Sequence, residues 1–402
     1  MEKRSLTVRY TVHQVTYWAS AAGVVSFATA FLLGKGFAPA IVGTLLAVGN
    51  LLSCAAQPVL ANFADRVGGN VLKWMTAALT GVCVLCFGCV QLLQLPMAIF
   101  GAVYLLGVFA FDVMNPLMNA VNVAYSENGY RINYGLSRGL GSFGYSVAAL
   151  VIGELMARRG LDWMIWVSLA LLVGNVLVVL GYPTLHTMVR QQEEGAAEAC
   201  CTVWQFFGKY RWYCFSLVGV MLLAMFHAMT ENYLIEVVTP LGGDSGSVGV
   251  ALFIATFVEM VVLLFFERVR KHMKDTLLLK IAGLSFLLKA VLLLFAPSVT
   301  AIYLIQLLQA TSYTFLSPTQ MYYARSRISM ADMVKGQAFI TASYTLGCAA
   351  GNFAGGQLLQ HFSVPAMLLG GVLMAALGTA VLWLTVERKD MEMAENGENS
   401  AL

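Results

Sequence analysis

Asp65-Arg66, Gly81, Asn115-Pro116 and Gly153 recur 202 residues later as Glu267-Arg268, Gly283, Ser317-Pro318 and Gly355. Each pair takes the same place relative to the apolar runs that flank it. A chain of 402 residues that repeats at about half its length is built from two halves of one design. In a membrane, such duplication points to a transporter whose solute sits near the bilayer midplane between the repeats.

The composition calls for a bilayer. Apolar residues make up 59% of the chain and charged residues 11%, where a soluble domain carries about 25% charged residues. Apolar runs of roughly 20 residues, the length that spans a bilayer, begin near Thr11, Pro39, Val71, Met97, Tyr134, Trp163, Trp212, Ser247, Thr276, Val299, Gly336 and Val364. The expected fold class is therefore all-α integral membrane, with twelve transmembrane helices in two six-helix pseudo-symmetric halves. The runs are too long for the strands of a barrel and lack period-two alternation. The halves are expected over residues 1–182 and 209–390, joined by a cytoplasmic linker over 183–208 and followed by an acidic tail over 391–402. The linker is too short to bury a core of its own.

With the N-terminus in the cytosol, the cytoplasmic segments collect 19 of the 24 Lys and Arg residues. The outer loops then hold only Lys35, Arg158 and Arg159. This bias predicts a multi-pass protein of the cell membrane with both termini cytoplasmic. The first apolar run lacks a small-residue cleavage site and reads as a span rather than a signal peptide. Cys83, Cys86 and Cys89 recur every third residue with no His or carboxylate beside them, so they read as packing residues and not metal ligands.

No G-x-x-x-x-G-K-[ST] loop occurs, nor any soluble segment large enough for a nucleotide or aspartyl-phosphate domain. Neither an enzyme nor a nucleic-acid binder is expected, and no cofactor. Movement of a solute would be facilitated or driven by an ion gradient. Five charges lie well inside spans: Asp112, Arg138, Glu231, Glu259 and Lys289. Each costs about 2.5–3.5 kcal/mol on insertion scales and is a functional candidate by default. Three acids against two bases leave one carboxylate unpaired, a candidate proton carrier in a low-dielectric site. A sodium site remains open.

Depth along the hairpins suggests partners. Glu259 and Lys289 lie about equally far from the turn near His272 to Asp275, so they should sit level and form a salt bridge or a gate. Counted the same way, Arg138 is level with Asn119 and has no carboxylate at its own depth, which leaves it to meet a ligand. Polar stripes run along several spans: His13, Tyr17 and Ser20; Asn50, Ser53 and Gln57; Asp112, Asn115, Asn119 and Asn122; and His227 with Glu231. Such stripes can glue helices together, but their number favours a central wet cavity. Gly347, Gly351 and Gly355 read as a close helix contact.

The loop Ala61-Asn62-Phe63-Ala64-Asp65-Arg66-Val67-Gly68-Gly69 resembles the G-x-x-x-D-R-x-G-R signature of the major facilitator superfamily, with Ala61 in place of the first Gly and no trailing basic pair. The resemblance implies that Asp65 and Arg66, with Glu267 and Arg268 in the matching loop, gate the cytoplasmic side. The stretch Gly135-Leu136-Ser137-Arg138-Gly139-Leu140-Gly141-Ser142-Phe143-Gly144-Tyr145 is similar to span five of the lactose permease group of oligosaccharide:proton symporters. That similarity implies that Arg138 grips sugar hydroxyls and Tyr145 stacks on the sugar; Lys289 matches the group's span-nine arginine. Asn119 stands where the group has a sugar-binding glutamate, and Tyr313 and Leu316 stand where it has its histidine and protonated glutamate. The group's proton site is therefore missing here.

The expected function is secondary active transport by alternating access, a proton-coupled uptake of a small polar solute such as a sugar. The alternatives are a drug or metabolite:proton antiporter of the same fold, or a membrane receptor that transports nothing. The expected solute-binding set is Arg138, Tyr145, Asn119, Asp112, Asn115, Tyr17, His13, Asn50 and Gln57. Coupling is expected at Glu231 or Glu259 with Lys289 and His227, and Asp112 is the next carboxylate in line. The partners are the solute, a proton or sodium ion and the bilayer, and the chain is expected to act as a monomer.

Overall fold

The computed structural model describes residues 5–67, 69–185 and 202–388, without the side chains at 61, 62, 64–67 and 69. Among the described residues the regular structure is helical, apart from one isolated bridge between Ser5 and Arg131. In chain order the helices are α1 (Thr7–Ala21), α2 (Ala28–Gly34), α3 (Pro39–Val67), α4 (Gly69–Leu92), α5 (Met97–Glu127), α6 (Tyr134–Arg159), α7 (Trp163–Leu180) and α8 (Val203–Lys209). They continue as α9 (Arg211–Asn232), α10 (Leu234–Val238), α11 (Ser245–His272), α12 (Asp275–Leu294), α13 (Val299–Gln306), α14 (Tyr313–Arg327), α15 (Met333–His361) and α16 (Val364–Thr385).

Among the described residues ten helices are long and apolar enough to cross a bilayer, with α13 and α14 counted as one, and α1 with α2 makes an eleventh bent by 43°. The twelfth run read from the sequence is α15, a 29-residue helix, about 43 Å long at 1.5 Å per residue. Lys335, Gln337, Thr341, Asn352, Gln357 and Gln360 make it more polar than the other spans. The chain is a multi-pass helical membrane protein.

Local chemistry starts and stops these helices. Asn133, Ser298 and Ser363 each accept the N–H three residues on, at 3.1, 3.3 and 3.4 Å, which satisfies one of the donors a helix start leaves open. Gly129 and Gly160, at φ 82° and 102°, turn the chain out of α5 and α6, a conformation that glycine adopts without steric cost. Pro116 and Pro318, the repeated prolines, both lie inside helices, where neighbouring helices can satisfy the freed carbonyls.

The chain divides into two compact units, Met1–Gln191 with Asn232–Met260 and Gln192–Glu231 with Val261–Leu402. Besides the boundary in the linker, one therefore falls at the end of α9 and one within α11. In the first unit the start of α11 lies against α6 with almost nothing between the backbones. A Cβ at Gly153 would stand 2.5 Å from Ser245 O, and one at Gly249 2.6 Å from Ala149 O. The same unit packs α6 on α1, where Cβ atoms at Gly141 and Gly144 would come within 3.3 and 3.4 Å of Gln14 O and Val15 O. In the second unit α15 lies on α9 in the same manner, with Gly347 and Gly351 over Met221 O and Met225 O.

The opening spans of both halves are broken. Ala22–Ser26 forms a π turn in which the Phe27 N–H reaches Ala22 O at 3.3 Å. In the second half the break between α9 and α10 falls at Tyr233. The segments that leave α7 and α16 are also held alike. Arg9 donates to Gly181 O, Lys73 to Tyr182 O at 2.6 Å and Tyr125 to Pro183 O at 2.6 Å. Asn70 brackets Leu185, accepting its N–H at 2.8 Å and donating to its carbonyl. In the second unit Arg327 donates to Val386 O at 2.6 Å and Arg388 O at 3.0 Å. Tyr125 and Arg327 are themselves 202 residues apart, so the repeat extends to carbonyls that helix ends leave without partners.

Candidate functional site

The close packing of α6 on α1 decides what Arg138 touches. One turn before Gly141, its guanidinium carbon sits 4.1 Å from the centre of the Trp18 ring, a cation–π contact whose value rises as water is excluded. Its Nη1 donates to Ser142 Oγ at 2.7 Å. Trp18 is fixed by donating to Gln14 Oε1 at 3.0 Å, and Gln14 donates to Tyr10 Oη at 2.8 Å. A guanidinium has five N–H donors in a planar fork, so the Ser142 bond leaves most of the fork for a ligand.

The other expected binding residues divide into two groups. Tyr145, two turns beyond Arg138, shares a 2.6 Å hydrogen bond with Ser26 in the π turn. Asn119 accepts from Tyr134 Oη at 3.3 Å. Asp112, Asn115, Asn119 and Asn122 stay at least partly accessible, while Val113, Met114, Leu117, Met118 and Val121 on the same helix are buried. Ser53 of α3 donates to Asp112 Oδ2 and Gln57 Nε2 to Asp112 O, both at 3.4 Å, and Asn50 on the same helix is half-buried. His13 and Tyr17, by contrast, are 0% and 2% exposed. His13 Nδ1 meets Tyr182 Oη at 3.3 Å, and Tyr17 stacks flat on Phe111 at 4.5 Å while donating to Phe111 O at 3.3 Å. Expected to line the site, these two are packing groups in this structure, because His13 is covered by Asn175 of α7 and Tyr182 just beyond it, and Tyr17 by Phe111 of α5.

In the second unit the ion pair at Lys289 is made with Glu231, Nζ to Oε1 at 2.7 Å, and Lys289 also donates to Gln309 Oε1 at 3.0 Å. The expected partner from depth alone was Glu259. Depth says nothing of helix rotation: Phe286, one turn before Lys289, packs edge-on against Phe226 and His227 at 6.2 and 6.0 Å and turns this face of α12 toward α9. Glu259 lies half-buried on α11. The His227 ring stacks on Tyr313 at 5.2 Å and 5°, with Nδ1 buried and without a partner among the described residues.

The expected gating residues fall partly outside the description. The side chains of Asp65 and Arg66 lie outside the described residues. In the matching loop, Glu267 accepts from Tyr322 Oη, and Arg268 lies 5.5 Å from the Phe265 ring centre. Arg270, 3.6 Å from the Tyr322 ring centre, also pairs with Asp275 at 2.9 Å.

Trp18, Ser142, Gln306 and Gln309 were not singled out from the sequence. A signal existed for the glutamines, because two amides three residues apart inside an apolar run are costly unless they have partners. None existed for Trp18, since an aromatic residue in a span reads equally well as lipid-facing.

The MFS_1 like family model matches residues 7–368. A crystal structure of a mutant of the nucleoside transporter NupG superposes with a TM-score of 0.82 at 14% identity, covering 95% of this chain and 99% of that one. The NupG crystal structure without that mutation gives 0.73 at 13% identity, with 96% and 99% covered. An auto-inhibited POT family peptide transporter gives 0.71 at 11% identity, with 96% and 97% covered. No curated protein matches the chain in sequence.

Proposed function

The chain belongs to the MFS_1 like family, and from that premise we propose that it imports a small hydroxyl-bearing solute, a sugar or a nucleoside, together with protons. The observation that carries this reading is Arg138. A charged fork inside a span, seated on Trp18 and using one donor on Ser142, is costly to insert and suits a ligand rich in hydroxyls or ring carbonyls. Tyr145 and Asn119 on the neighbouring polar faces add an aromatic surface and an amide. The nucleoside transport named for NupG favours the same chemistry.

Alternating access would expose this site to each side in turn. The loops at Asp65-Arg66 and Glu267-Arg268 would bias the two states without touching the solute. The distribution of Lys and Arg favours cytoplasmic termini in a cell membrane.

Purified protein in liposomes, offered a panel of radiolabelled sugars and nucleosides, tests the proposal. At least one panel member should accumulate inside, faster with the outside acidified. Arg138→Lys should raise the Kd for that solute, because an ammonium cannot reproduce the planar fork. A panel that never accumulates, or an Arg138→Lys protein that binds as tightly as the parent, would sink the reading.

A further inference from the structure

We infer that Asp112 of α5 is the group that takes up and releases the coupled proton; this rests on the proton-coupled reading above and assigns its site. The three intramembrane acids differ in their surroundings. Glu231 has a counter-charge at 2.7 Å, and its charge is balanced whenever that pair is closed. Glu259, half-buried on α11, is engaged by a neighbouring group. Asp112, also half-buried, has the Ser53 hydroxyl at 3.4 Å, and no basic side chain among the described residues pairs with it.

The elements around α5 bear this out. From α3, Ser53 and Gln57 face Asp112, neither of them titratable. From α1 comes Tyr17, stacked on the neighbouring Phe111, and from α4 the Cys83 thiol, which donates to Gly107 O at 3.5 Å. The one cation of α6 within this span region, Arg138, is engaged by Trp18 and Ser142. A carboxylate inside a span whose neighbours are all neutral is balanced by binding a cation itself. One carboxylate and one hydroxyl at 3.4 Å do not assemble the oxygen cage a metal ion needs, so the cation is a proton.

The site is also reachable. Asp112 opens the polar stripe that continues through Asn115, Asn119 and Asn122, all partly accessible. Gln57 donates to the carbonyl of Asp112 itself, just ahead of Pro116, where the helix ladder lacks a donor. Uptake would convert the Asp112 carboxylate to the neutral acid, and release on the other side would return the carboxylate and a free proton.

Two measurements on full-length protein test this. In a pH-difference infrared spectrum of the solute-free protein, the parent should show a carboxylic C=O band that titrates, and Asp112→Asn should lose it. Ser53→Ala should keep the band but move its midpoint, which guards against a loss caused by misfolding. In liposomes, Asp112→Asn should hold the panel solute at no more than the external concentration while still exchanging labelled for unlabelled solute. Glu231→Gln and Glu259→Gln should keep the titrating band. A band that survives in Asp112→Asn, or disappears in Glu259→Gln instead, overturns the assignment. If the parent's uptake ignores pH, the proton-coupled reading fails on its own, and the infrared band still decides whether Asp112 titrates.

Discussion

Removing either member of the Lys289–Glu231 pair should destabilise the second unit strongly and unequally. At 2.7 Å, Coulomb's law with an effective dielectric of about 20 gives roughly 6 kcal/mol of attraction. Desolvation offsets much of that, so the pair need not be a net gain over an apolar one. Deleting one partner differs, because it strands the other charge at a cost of about 3–5 kcal/mol. The two sides are not equivalent: the Lys289 side chain is 1% exposed and that of Glu231 15%. Glu231→Gln leaves the ammonium with neutral acceptors alone, the new amide oxygen and Gln309. Lys289→Met leaves a carboxylate that Gln306 still serves and that water can reach. Glu231→Gln should therefore cost more, and the double variant Glu231→Gln/Lys289→Met should cost less than either single one. Reversible unfolding in mixed detergent–SDS micelles, followed by tryptophan fluorescence, supplies the four free energies of the cycle. Single costs that simply add, with a coupling under about 1 kcal/mol as for an exposed pair, would refute this account.

The α9–α15 seam should tolerate no side chain at Gly351, where a Cβ would lie 2.3 Å from Met225 O. Gly351→Ala should cut the yield of monodisperse protein in size-exclusion chromatography, whereas Gly174→Ala, in open space on α7, should match or exceed the parent. Tyr125→Phe strips Pro183 O of its donor, at a cost of about 1–3 kcal/mol if no water replaces it. Hydrogen exchange at the Leu185 amide, bonded to Asn70 next to that carbonyl, should quicken, and unchanged exchange would show that the strap is not cooperative.

The spans were legible because a bilayer forces every backbone group into helix and leaves an apolar run behind. The 202-residue repeat was legible in the same way, down to Pro116 and Pro318 inside their helices. What escaped was rotation. Counting from a turn gives depth at 1.5 Å per residue, so it could match Lys289 to Glu259 but could not see that the Phe286 contacts aim Lys289 at Glu231. Arg138 could be singled out as a charge in a span, while its platform, Trp18, comes from another helix brought close only by Gly141 and Gly144. His13 and Tyr17 had the right spacing for a wet face and lie on the packed one, since periodicity fixes which residues share a side but not which side faces inward.

The π turn at Ala22–Ser26 carries one residue more than regular helix would use. A single extra residue inside an otherwise regular helix produces such a bulge. Deleting one of these residues would restore an unbroken helix of the same apolar character, which the bilayer would accept. Everything beyond it would turn by about 100°, taking Phe31 away from Phe100 and Tyr104, 6.1 and 5.9 Å off in their stack. Alignments of related chains that score only hydrophobicity will slip here by one position, and from Phe27 to Gly34 they will equate residues that face different neighbours.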